Sequence, residues 1–298
     1  MISIITPTYQ RGDKLCRLYE SLLRQTCKEF EWIVIDDGST DGTDKVCKKL
    51  LEDKKIKMVY QHTENNGKCI AVNFAVKFAS ADYILIVDSD DWLKDDAVEI
   101  IEARLSYFDE DICALSFFRE YSDGRINGNF FEKDAFKANY IDVRVNSNDG
   151  WNDKSEVYRK DILLKFPFPQ YGKERFLAEN IVWIPMSYEY DMYFFNQSIY
   201  VGEYLDGGLT KNVFRNKRNN PVGAYKVAEL YMGSHMNQIN KIKGSILYTY
   251  YSKIALKSYF KSFVETKHKF LYITTFIPAL IYGGILKKKE KLIVDVGK

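Results

Sequence analysis

The 298-residue chain is 46% hydrophobic and 28% charged, enough for one large α/β domain with additions or two smaller ones, which excludes disorder. Its five cysteines (Cys16, Cys27, Cys47, Cys69, Cys113) are odd in number, scattered and without zinc-like spacing, which excludes a disulfide framework and points to a reducing compartment. A net charge of +2 hides an asymmetry: residues 214–298 carry 16 Lys+Arg against 4 Asp+Glu and the rest 27 against 37, so an acidic body bears a basic tail that calls for an anionic partner.

Met1-Ile2-Ser3-Ile4 enters a strand pattern at once with no basic region ahead of it, so no signal peptide is expected. Residues 3–5 form a short β run that should close at Thr6-Pro7-Thr8-Tyr9, because Pro7 cannot donate to a ladder. From 13 to 27, Leu15, Leu18, Tyr19, Leu22 and Leu23 keep helical spacing, with Asp13 as N-cap. Residues 32–35 are a second buried strand, ending in Asp36-Asp37-Gly38-Ser39; a helix to about Glu52 and a third strand at 58–60 follow. Asn65-Asn66-Gly67 turns into a helix from Lys68, with Ile70, Ala71, Phe74, Ala75, Phe78 and Ala79 as its apolar face.

The fourth strand, 83–87, ends abruptly in Asp88-Ser89-Asp90-Asp91. Carboxylates at the carboxyl end of a buried strand lie where open α/β sheets bind ligands. The two-residue spacing of Asp88 and Asp90 points both to one side of an extended chain, where they repel unless a cation lies between them; Mg²⁺ or Mn²⁺ fits. Asp36 reads as a turn former, and Asp91 as the start of a helix over 95–107. Four strand–helix alternations predict an α/β fold, a mostly parallel sheet with helices on both faces. No Gly-rich dinucleotide loop and no P-loop occurs, so phosphates must be held by metal and side chains.

Beyond Asp111 periodicity assigns less: 112–118 reads as a strand, and Asp123-Gly124 and Asn127-Gly128 as hairpin turns. Four further blocks stand out. They are Trp151 through Arg159, Phe166-Pro167-Phe168-Pro169, Glu174 to Glu179, and Glu203-Tyr204-Leu205-Asp206-Gly207-Gly208-Leu209-Thr210.

Taken in order, Thr6-Pro7-Thr8-Tyr9, Asp36-Asp37-Gly38-Ser39, Asn66-Gly67-Lys68 with Asn73, and Asp88-Ser89-Asp90-Asp91 resemble the inverting, GT-A-fold family 2 of glycosyltransferases. The later blocks resemble its bacterial surface-polysaccharide branch, and the likeness covers residues 1–212. It implies a Rossmann-like GT-A domain with a nucleotide-sugar-binding half at 1–111 and an acceptor-side half at 112–212. A helical basic region, 213–298, follows. By this resemblance Pro7 and Tyr9 line the nucleobase pocket, Asp37 accepts from the uracil ring nitrogen, and Lys68 and Ser89 approach the nucleotide. Asp88 faces the ribose and shares the Mg²⁺ or Mn²⁺ ion with its ligand Asp90, and Glu179 is the catalytic base. The family's usual Glu-Asp pair is Glu179-Asn180 here. The implied reaction moves a hexose or N-acetylhexosamine from a UDP-sugar to a hydroxyl of a lipid-linked glycan acceptor.

Residues 270–286 are uncharged between Lys267-His268-Lys269 and Lys287-Lys288-Lys289. At the lower limit for a span and interrupted by Pro278 and Gly283-Gly284, they predict a segment lying in the inner leaflet, or else a helix packed on the catalytic domain. The expected location is therefore cytoplasmic and peripheral on the inner face of the cell membrane. A basic tail without a recognition motif, beside an acidic body, argues against nucleic acid. The 22 tyrosines read mostly as half-buried fillers, and His62, His235 and His268 as isolated. Two other classes end a strand in this way or keep such a fold: a metal-dependent phosphatase of the Asp-x-Asp type, and a non-catalytic nucleotide-binding module.

Overall fold

A computed structural model describes residues 1–147, 152–203 and 212–296, with side chains through 286. It divides into two compact units, 1–175 with 182–208, and 176–181 with the chain from 209 onward. Trp151 and the Tyr204 to Thr210 motif lie outside the described residues.

The first unit opens with β1 (Ile2–Thr8), α1 (Gly12–Leu23), β2 (Phe30–Asp36), α2 (Thr43–Glu52), β3 (Met58–His62), α3 (Lys68–Val76) and β4 (Tyr83–Ile86). These strands pair in parallel in the order β3-β2-β1-β4, with Ile2 through Thr8 in register with Phe30 through Asp36. Every residue of β1 and β2 is buried, as runs covered on both faces should be. The chain then adds β5 (Trp92–Leu93), α4 (Ala97–Glu102), β6 (Ile112–Tyr121), β7 (Phe136–Ala138), β8 (Lys154–Arg159), α5 (Lys160–Lys165), α6 (Asn180–Met186) and β9 (Asp191–Gly202). β8 joins β4 antiparallel, and β6, β9 and β5 continue the sheet, with β7 also on β9. The fold is thus a large central sheet flanked by helices, parallel where strands and helices alternate and mixed beyond Asp111. Ile4, Trp32, Leu85, Leu115 and Phe195 lie in one continuous core.

Local chemistry corrects several expectations. β1 does not stop at Pro7, which pairs with Ile35, and Thr8 pairs with Asp36. Ile5 faces β4, its carbonyl accepting the Val87 N–H at 2.8 Å, and this pairing ends there. Pro7, two residues on, faces the same vacated edge, so its missing N–H costs no ladder bond. Arg11, not Asp13, takes the N-cap position of α1, and Asp13 sits in its first turn. The buried side of α3 is Cys69, Ala71, Val72, Ala75 and Val76, while Phe74 and Phe78 stack edge-on to each other nearer the surface. The helix expected over 95–107 is shorter, closing as a 3₁₀ turn at Leu105–Tyr107. Asp123-Gly124 does make a hairpin turn: Gly124 has φ +82° and Tyr121 N–H bonds the Arg125 carbonyl at 2.8 Å.

The second unit is helical: α7 (Val213–Asn219), α8 (Pro221–Leu230), α9 (Gln238–Leu256), α10 (Tyr259–Glu265), α11 (Lys269–Thr274) and α12 (Phe276–Val296). Asn237 caps α9 by accepting from Asn240 N–H at 2.8 Å. Its core is largely tyrosine, Tyr225, Tyr248, Tyr251 and Tyr272 being buried, with the Tyr248 hydroxyl donating to the Ser262 carbonyl at 3.0 Å. Gly244 lets α8 and α9 approach, since a Cβ there would stand 2.7 Å from the Cβ of Tyr231. Among the described residues no helix is long and apolar enough to cross a membrane.

Candidate functional site

The parallel register brings the carboxyl ends of β1, β2 and β4 to one edge of the first unit. Pro7 and Tyr9, Asp36 and Asp37, and Asp88 to Asp91 therefore gather there, with the start of α3 beside them.

Two loops at this edge are sewn together. Gln10, at φ +53°, donates from its backbone to Ser39 Oγ at 2.8 Å, and its amide exchanges hydrogen bonds with Thr40 at 2.9 and 3.1 Å. Asp36 is fully buried and accepts from Ser39 N–H at 2.9 Å and the Tyr60 hydroxyl at 3.1 Å, with His62 Nδ1 at 3.0 Å. It is the turn former expected, and it also gives His62 a partner through the Asp36–His62 register of β2 and β3.

Asp37 accepts the backbone N–H groups of Asn66 and Gly67, one on each oxygen, both at 2.8 Å. Burial pushes its pKa up, and the two amides and Arg175 pull the other way. A carboxylate has about four acceptor positions, so Asp37 keeps capacity for one more donor. Pro7 is buried in β1, and Tyr9 stands with nearly half its surface exposed, a ring open to stacking. Gly67 is required here: φ is +93°, and a Cβ would fall 1.9 Å from the Arg175 carbonyl oxygen. Asn73 of α3 clamps the Phe-Pro-Phe-Pro segment, exchanging bonds with the backbone of Phe168 at 2.8 and 2.9 Å.

The acidic loop after β4 is not extended, as its spacing suggested, but a turn closed by Asp91 N–H to the Asp88 carbonyl at 3.1 Å. Its carboxylates therefore meet different cations. Asp88 Oδ1 pairs with Lys68 Nζ at 2.7 Å, and Asp90 pairs with Arg11. Burial raises the Asp88 pKa, but Lys68, Arg119 and Arg11 outweigh it and hold the carboxyl below its usual range. Ser89 is buried between them. Asp91 is not a helix start. It is buried and accepts from the Tyr200 hydroxyl at 2.7 Å and Glu203 N–H at 3.1 Å. Burial first, then Asp88 and Asp90, raise its pKa to about 6.

Residues the sequence reading passed over carry this loop. The Arg119 guanidinium lies 4.0 Å over the Tyr200 ring and 3.9 Å from Asp91 Oδ2, and Nε donates to the Lys154 carbonyl at 2.7 Å. Arg17 stacks 4.0 Å over Trp92, pairs with Glu203 at 2.9 Å and donates to the Asp90 carbonyl. Among the described residues no cluster of three His, Cys, Asp or Glu side chains could hold a metal. Asp88 and Asp90 do offer hard oxygen donors. A divalent ion with one or two carboxylates and phosphate or water oxygens fits that donor set, in competition with Arg11 and Lys68. Glu179 belongs to the second unit, half-buried one residue ahead of α6.

Comparison with known proteins bears on this geometry. Residues 3–173 match the family model described as Glycosyl transferase family 2. The glycosyltransferase GlyG of Streptococcus pneumoniae serotype 4 is 31% identical over 132 residues, 44% of this chain and 42% of that protein. TuaG of Bacillus subtilis, a glycosyltransferase whose name assigns it provisionally to teichuronic acid biosynthesis, is 37% identical over 119 residues, 39% of this chain and 45% of its own. The chain spans less than half the length of these two relatives. The crystal structure of S. aureus TarS 1-349 in complex with UDP-GlcNAc superposes with a TM-score of 0.60 at 19% identity, over 93% of this chain and 81% of that one. That likeness is one of fold, the GT-A type.

Proposed function

The chain belongs to glycosyltransferase family 2, and from that membership we propose that it is an inverting hexosyltransferase. It moves a hexose or N-acetylhexosamine from a UDP-sugar to a hydroxyl of a glycan acceptor, lipid-linked, in bacterial surface-polysaccharide synthesis. TarS, the structural neighbour bound to UDP-GlcNAc, supports the choice of UDP, and the names of the relatives support the setting. The region 1–212 is the transferase domain, and 213–298 brings it to the inner face of the cell membrane.

One observation carries the reading: the carboxyl ends of β1, β2 and β4 bring Asp37 to the same edge as the ion pairs Lys68–Asp88 and Arg11–Asp90. Asp37 takes the uracil N–H while its other lone pairs hold the Asn66 and Gly67 amides. Tyr9 stacks on the base and Pro7 floors its pocket. Lys68 and Arg11 present cations to the diphosphate, whose charge grows as the sugar leaves. Asp88 and Asp90 would be the residues to hold Mg²⁺ or Mn²⁺, which when bound would supply Lewis-acid stabilisation of the leaving diphosphate. The base that takes the proton of the attacking acceptor hydroxyl is assigned to Glu179 by family resemblance, and attack opposite the leaving group turns an α-linked donor into a β-glycoside.

Calorimetry of UDP and GDP with and without Mn²⁺, on wild type and Asp90→Ala, tests the proposal. Metal-dependent UDP binding that Asp90→Ala loses is the expected result. Its absence in folded wild type removes the donor assignment and leaves the phosphatase to be assayed.

A further inference from the structure

The second unit displays an apolar helix face that nothing in its own fold covers. α11 and α12 run nearly as one helix, because Thr275 N–H bonds the Leu271 carbonyl at 3.0 Å and Ala279 N–H the Thr275 carbonyl at 2.9 Å. One side packs on α9: Tyr272, Thr275 and Ala279 are buried, Thr275 Oγ1 lies 2.7 Å from Ser245 Oγ, and Tyr282 meets the Tyr250 ring edge-on. The opposite side carries Phe270, Ile273, Ile277, Leu280, Ile281 and Ile285, all exposed, Phe270 by 79% and Ile277 by 69%. At 1.5 Å per residue this stripe is about 24 Å long. No charge interrupts residues 270–286. The neighbouring helix α10 adds Phe260 and Val264, also exposed.

Charge decides what such a face can meet. Lys257, Lys261, Lys267 and Lys269 are exposed around its start, with Glu265 the acid among them, and the sequence resumes after it with Lys287-Lys288-Lys289. Over 214–298 the balance is +12. A second copy would bring an equal positive charge against it, which like-charge repulsion opposes. An acidic protein would answer the lysines and leave six large apolar side chains unanswered. A bilayer surface answers both, taking apolar side chains at the acyl boundary and lysines at anionic headgroups. We propose that the outer face of α11 and α12 is a membrane-docking surface. It lies in the plane of an anionic leaflet with Ile273, Ile277, Ile281 and Ile285 inserted and Lys261, Lys267 and Lys269 on phosphate groups. α12 does not span, consistent with the lysines that follow Leu286.

This proposal rests on the reading of 213–298 as the membrane-facing region and names its surface, but its test needs no substrate, so it can fail while the sugar-transfer assignment stands. The full chain is floated with vesicles of phosphatidylcholine alone and of phosphatidylcholine mixed with phosphatidylglycerol, at low and high salt. Expected are flotation with the anionic vesicles, loss at high salt, and a drop of about tenfold or more in partitioning for Ile277→Glu/Ile281→Glu. Both positions are exposed, so the variant keeps the wild-type circular dichroism spectrum and UDP affinity. Lys261→Gln/Lys267→Gln/Lys269→Gln should erase the preference for phosphatidylglycerol. Failure of folded wild type to float overturns the proposal, as does flotation unchanged by the double glutamate variant. A wild-type dimer that this variant dissolves, without vesicle binding, would make the face a contact between copies instead.

Discussion

Tyr200 and Asp91, 109 residues apart, are joined by a buried hydrogen bond of 2.7 Å from the phenol to Oδ2, and the same phenol oxygen accepts the Asp88 N–H at 3.0 Å. The hydroxyl is thus a spacer between the acidic turn and the far strand β9. Burial, Asp88 and Asp91 together push its pKa well above the usual tyrosine value, with Arg119 opposing, so it stays a donor. Tyr200→Phe removes one partner from the buried Asp91 carboxylate and one from the part-buried Asp88 N–H. It should cost about 1–3 kcal/mol in urea unfolding and lower turnover with donor binding retained.

Lys68 and Asp88 form an ion pair of 2.7 Å at the proposed diphosphate site. Lys68→Ala should raise the KM for the UDP-sugar about tenfold while leaving thermal stability nearly unchanged, because the pair is partly solvated. Steady-state kinetics with varied donor measures it.

Glu179→Gln keeps size and hydrogen bonding but removes the base. Transfer should fall by about a hundredfold or more with UDP affinity intact. Equal activity in the variant would remove Glu179 from the mechanism.

Gly67→Ala tests the loop that Asp37 holds. With φ +93° and the Arg175 carbonyl 1.9 Å from the new Cβ, the backbone must move. A loss of about 3 kcal/mol or more in unfolding free energy is expected, and UDP binding should weaken with it.

Acid stability should trace to Glu31, at the opposite end of the strands. Its carboxylate is buried and takes Lys57 Nζ at 2.8 Å, Ser3 Oγ at 2.6 Å and both the amide and hydroxyl of Ser80. Burial alone pushes its pKa up, and these bonds outweigh it, bringing it from 4.5 to about 2. A depressed folded pKa gives stability that is present above about 4.5 and lost as pH falls toward 2, here about 3 kcal/mol. Urea unfolding across that window should show the loss in wild type and a flatter profile in Glu31→Gln.

The parallel half of the sheet was legible because β1 and β2 are buried on both faces and the strands end in residues that break strands, so run length and punctuation located the edge that carries Asp37 and Asp88. Pro7 misled because a ladder bond is lost only if a neighbour stands on that side. α3 misled because helical spacing fits two faces when small and large apolar residues alternate, and packing against the sheet selected the small ones, Ala71 and Ala75. Arg119, Tyr200 and Lys154 were invisible: they come from β6, β9 and β8, whose pairing no local pattern announces. Arg11 and Arg17 gave no signal as single basic residues on an exposed-looking helix start.

Arg17 holds the Asp90 carbonyl, the Trp92 ring and the Glu203 carboxylate at once, while the Glu203 amide closes back on Asp91. The proposed chemistry at the acidic turn would ask only for two carboxylates, but this four-way link ties the turn to α1 and to the end of β9. The distance in sequence from Asp88 to Trp92 is therefore set by mechanical fit, and a one-residue insertion there should be tolerated less well than the loss of either carboxylate.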